Sequence, residues 1–135
     1  MSKISQEARE VYSQVYKTWK DATGMATVGK KGWGSNPADF NTAKRYMRCY
    51  WFDVFDGEKF PFKIVEVKGK RYTWIDYNGT TFNVNTEKGW QSINHEFSHY
   101  MSYKKYPKLR PHCVEQAWLE LRGARLIVEK GLLEY

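Results

Sequence analysis

The stretch HEFSHYMSYKKYPKLRPH, residues 95–112, decides how this chain is read. Its first five residues are HExxH. Histidines four apart on an α-helix are turned by about 400° and separated by about 6 Å along the axis, so both imidazoles leave one face and each can give a nitrogen to the same ion. Glu96 lies one position further round, beside the metal rather than on it, where its carboxylate can take a proton from a water that the metal activates. A catalytic zinc needs a third protein ligand and an open position. His112 is the first candidate, with Glu115 and Glu120 as alternative third ligands. All three histidines of the chain fall within residues 95–112, which sets the motif apart from a scattered coincidence.

Outward from the motif, Trp90, Ile93, Phe97 and Met101 lie at i, i+3, i+7 and i+11 and predict a helix over 88–105 whose apolar stripe points away from the histidines. Pro107 ends it. Pro111 starts a last helix carrying Val114, Ala117, Trp118, Leu121, Ala124 and Val128, closed by Gly131. Upstream, Phe62, Ile64, Val65 and Val67, then residues 71–77, then 80–85 have strand character, and Asn78-Gly79 is a hairpin signal. These segments predict a three-stranded antiparallel meander. Ala8, Val11, Tyr12, Val15, Tyr16 and Trp19 mark a first helix over 5–20, and residues 23–36 read as a glycine-rich loop. Ser35 or Asn36 is then expected to cap a second helix that starts at Pro37, carries Phe40, Ala43, Met47, Tyr50 and Val54, and stops at Asp56-Gly57. The expected fold class is α+β, in the order helix, helix, meander, helix, helix. One domain spans 1–135, with an N-terminal helix and loop (1–36) and a core (37–135).

Of the 135 residues 41% are hydrophobic and 17% aromatic, which excludes a disordered chain, and no window has the apolar length of a membrane span. The first residues lack the apolar segment of a secretory signal, and Cys49 and Cys113 are too few for a disulfide framework, so a cytoplasmic protein is expected. A net charge of +7 suits an acidic partner such as DNA. Lys104, Lys105, Lys108 and Arg110 lie between His99 and His112, where they would line one rim of a cleft and contact a protein or peptide substrate or nucleic acid. Lys68, Lys70 and Arg71, near Tyr72 and Trp74, form a second basic group, and Lys30, Lys31 and Trp33 a third. Cys113 reads as a buried residue beside the site and Ser98 as helix surface. Tyr100, Tyr103 and Tyr106 include candidate donors to a developing oxyanion, with packing as the alternative for each.

HExxH, twelve residues and a further His resembles the SprT-like zinc metalloproteases, the group that includes the Spartan DNA–protein crosslink proteases. TTFNVNT (80–86) and EKGWQSIN (87–94) fall where that family has its edge strand and the start of its active-site helix. The resemblance implies a zincin-like fold, Zn2+ as cofactor, His95, His99 and His112 as its ligands and Glu96 as general base. Cys113 stands where the family usually has Gly, and its C-terminal ribbon of paired cysteines has no counterpart here. The tail EQAWLELRGARLIVEKGLLEY is instead similar to the minimal gluzincins, whose third ligand is a helical Glu. The nearest overall description is a small single-domain zincin of the kind found in phages and prophages. The function expected is a metallopeptidase hydrolysing peptide bonds; the alternative is an inactive zincin-like module that binds nucleic acid or a host protein.

Overall fold

A computed structural model describes residues 4–23, 37–76 and 80–134. Its elements are α1 (Gln6–Thr23), α2 (Phe40–Val54), β1 (Lys63–Val67), β2 (Trp74–Asp76), β3 (Thr81–Asn85), α3 (Trp90–Lys105), α4 (Val114–Glu129) and a closing 3-10 turn (Leu132–Glu134). The fold class is α+β, as expected. The stripes that define the helices are also the faces that leave water: Ala8, Val15 and Trp19 of α1, Ala43, Met47 and Tyr50 of α2, and Trp90, Ile93, Phe97 and Met101 of α3 are buried. Burial of each of the larger of these side chains contributes roughly 1.5–3 kcal/mol, so packing holds the helices more than any single cap does. α1 lies along α4, and the buried faces of both belong to one hydrophobic cluster. Among the described residues, no helix is long and apolar enough to cross a membrane.

The antiparallel meander is corrected. The strand order is β1-β3-β2, with β1 parallel to β3 from Lys63↔Thr81 to Val67↔Asn85, and β2 antiparallel to β3 with Trp74 opposite Asn83. The hairpin expected around Asn78-Gly79 does join paired strands, although the turn itself lies outside the described residues. Between β1 and β2 there is no tight turn, because Asn85 holds the connection across the end of β3. Its Nδ2 donates to the carbonyls of Gly69 (3.1 Å) and Arg71 (2.5 Å), and its backbone N–H donates to Thr73 Oγ1 (3.0 Å). Thr73 N–H in turn donates to Ser92 Oγ (3.2 Å), so β2 is delivered to the far side of β3. The strand placed at the sheet edge by family resemblance is therefore the central one, with Phe82 and Val84 fully buried. Asn85 also opens the way to α3, its Oδ1 accepting from the N–H groups of Glu87 (3.0 Å) and Lys88 (3.1 Å).

Three smaller expectations also shift. α2 begins at Phe40 rather than Pro37, because Ala38 N–H is committed to Thr86 O (2.9 Å) and Asp39 supplies the cap, accepting from Thr42 N–H at 3.0 Å. Ser35 and Asn36 lie outside the described residues. Trp118 is half exposed, since α4 turns Leu119, Glu120 and Gly123 inward instead. Tyr16 is likewise on the open side of α1.

α3 and α4 meet closely at one glycine. A Cβ on Gly123 would collide with Asn94 Oδ1 and the Tyr46 hydroxyl. These groups form a buried relay: Tyr46 O–H donates to Asn94 Oδ1 (2.6 Å) and Asn94 Nδ2 donates to Glu120 O (2.9 Å), tying α2, α3 and α4 together. The next turn of the same two helices carries the polar site.

Candidate metal centre

His95 and His99 leave α3 on one face, as the four-residue spacing requires, with ring centroids 4.7 Å apart. His112 comes from the short turn before α4 and closes the triangle, its ring 5.7 Å from that of His95 and 4.7 Å from that of His99. One nitrogen of each imidazole lies within 4.8 Å of the other two. A tetrahedral ion with bonds of about 2.0–2.1 Å spaces its ligand atoms by about 3.4 Å, a contraction that small side-chain rotations supply. Among the described residues these three histidines are the group that converges in this way; Glu115 and Glu120 are not in the set.

Glu120 lies against one of the three: its Oε1 is 2.7 Å from His95 Nδ1, which fixes the ring. Ser98, expected on the helix surface, is fully buried and donates to His95 O (2.7 Å), with Glu120 Oε1 at 3.4 Å. Glu115 borders a shallow cavity on the outer side of His112, together with Lys108 and Ile4.

The electrostatics disfavour the protonated form of two of the three imidazoles. His99 is pushed down to about 3 by burial, then by the neighbouring His95 and His112. His112 is lowered by burial and His95, with Glu120 opposing. Burial lowers His95 too, but the hydrogen bond and charge of Glu120, helped by Glu96, outweigh it and leave the group raised. Glu96 is raised by burial, with His95 opposing and Glu120 adding to the rise, which brings its carboxyl towards the range of a working proton acceptor. Three converging imidazoles, two of them with lowered proton affinity, beside a carboxylate make a group that could hold a metal ion.

Glu96 and His99 open onto a cleft of about 310 Å³ lined also by Ser102, Tyr103, Leu109, Arg110, Pro111 and Gln116. A separate apolar cavity of about 150 Å³ lies between α2 and the end of α4, beside Arg45, Cys49 and Lys130. The converging histidines are not part of its lining.

The basic loop divides. Arg110 lines the cleft, whereas Lys105 Nζ donates to Val54 O (3.0 Å) and Lys104 Nζ sits 5.9 Å from the centre of the Tyr100 ring. Of the three tyrosines, Tyr103 is half exposed at the cleft, Tyr100 is buried against Trp51, and Tyr106 caps α3. In the second basic group the Arg71 guanidinium covers the Trp74 ring at 4.0 Å, so that face is already occupied. Lys30, Lys31 and Trp33 lie outside the described residues. Cys113 is half buried, its sulfur 3.8 Å from Ser102 Oγ. Sequence reading missed Tyr12, whose ring meets His112 edge-on at 6.2 Å from α1; periodicity marked it only as core.

No protein-family model matches this chain, and no match is found among the curated proteins or the solved structures.

Proposed function

We propose that this chain is a zinc-dependent metallopeptidase of zincin-like architecture. The observation that carries the reading is the convergence of His95, His99 and His112 on one point with Glu96 opening onto the adjoining cleft. When bound, zinc would supply a Lewis acid that polarises a peptide carbonyl and makes water a better proton donor. The protein's own contributions are distinct. Glu120 orients His95 through Nδ1, and the low basicity of His99 keeps a lone pair available. The Glu96 carboxylate accepts a proton from the attacking water and returns it to the leaving amine. Tyr103, Leu109 and Pro111 form one wall of the cleft, and Arg110 offers a positive charge to an acidic substrate.

Metal content after purification, together with cleavage of an unstructured protein with and without DNA, tests the reading. Glu96→Gln is expected to retain zinc and to lower turnover by about 10²–10⁴-fold. Equal cleavage by both proteins, or no zinc in the wild type, would overturn it. Salt-dependent binding to nucleic acid or protein that survives both Glu96→Gln and chelation would instead identify a non-catalytic binding module.

A further inference from the structure

The third ligand sits in an unusual backbone. His112 has φ +61°, a left-handed conformation in which a Cβ crowds its own carbonyl, and it precedes α4 rather than belonging to it. The N-cap residue of that helix, Cys113, makes no side-chain cap bond. Gln116, three residues further on, reaches back past the cap, and its Oε1 accepts the backbone N–H of His112 at 2.7 Å. An N3 glutamine usually secures the N–H of the cap residue itself. Here it secures the ligand's own N–H one position earlier.

Two further facts separate Gln116 from an ordinary surface cap. It is 1% exposed and lines the same cleft as Glu96 and His99. Its amide is oriented by chemistry, since only the oxygen can accept from His112, which strands Nε2 without a partner. A buried orphan donor is unfavourable, so the contact to His112 is retained at a cost that a purely apolar residue would avoid.

We propose that Gln116 is a positioning residue for the metal centre, holding His112 in the left-handed backbone from which its imidazole faces those of His95 and His99. This rests on the metal reading given above. Gln116→Met keeps the side-chain volume and removes the acceptor, whereas Gln116→Glu keeps an acceptor and has no amide donor to strand. Zinc affinity by chelator competition is expected to fall about 10–100-fold in Gln116→Met and to stay within a few-fold of wild type in Gln116→Glu. Hydrogen exchange at the His112 amide in the metal-free protein is expected to quicken in Gln116→Met alone, with thermal unfolding confirming that both variants fold. A folded Gln116→Met with wild-type zinc affinity and unchanged exchange would overturn the proposal. So would a folded Gln116→Glu that loses zinc as Gln116→Met does, a comparison that stands even if Gln116→Met fails to fold. Were the wild type to bind no zinc, the metal reading would fall, and His112 amide exchange would still decide whether Gln116 holds that backbone.

Discussion

His95 and His99 are placed by four residues of regular helix, whereas His112 is placed by a left-handed turn, a side-chain hydrogen bond and the packing of α4 on α3. The first pair needs only 3.6 residues per turn and an apolar stripe to hold α3 down. His112 needs α4 in register. A three-histidine cluster built in this way has one half fixed by local geometry and one half that depends on tertiary fit, and perturbations should divide accordingly.

The sharpest way to break the comparison is Gly123→Ala. The added methyl meets Asn94 and Tyr46 at the crossing of α3 and α4, and is expected to cost about 1–3 kcal/mol by overpacking, with a further loss from the Asn94 hydrogen bonds. Denaturant unfolding measures it; unchanged stability would mean that the two helices can part without consequence. Glu120→Ala acts one step closer to the ligands. It removes the Nδ1 partner of His95 and is expected to weaken zinc binding about 10–100-fold, by chelator competition, while α3 itself remains helical by circular dichroism.

A smaller, graded effect comes from protons. His99 is depressed from 6.5 to about 3 in the fold, chiefly by burial, so the unfolded chain binds the extra proton first as pH falls. The stability this group contributes is therefore complete above about 6.5 and is lost progressively down to about 3. Thermal unfolding of the metal-free protein between pH 7 and 4 should show the decline, and His99→Gln should flatten it. An equally steep decline in His99→Gln would place the acid sensitivity elsewhere.

The same division describes what could be read from the residues alone. The α3 stripe, the shared face of His95 and His99 and the α+β order follow from periodicity, which a single sequence displays. The sheet order does not, because it turns on Asn85, whose side-chain amide reaches carbonyls fourteen and sixteen residues earlier in the chain. From the sequence Glu120 reads only as an alternative third ligand. Its actual partner, His95, became evident once α4 had a rotation, the same rotation that leaves Trp118 outside. Lys105 looked like cleft charge until its tether to the end of α2 was known.

The packing of α1 along α4 brings together segments far apart in sequence, Gln6–Thr23 and Val114–Glu129. During synthesis the face of α1 that carries Trp19 stays uncovered by α4 until α4 has been made. Closing so long a loop is entropically costly and tends to be slow, so the pairing is expected among the later events of folding. With Tyr12 of α1 against His112, the histidine cluster leans on this pairing: a chain that loses α4 keeps His112 but not the helix whose Gln116 holds it, and one that loses α1 lacks the ring behind it.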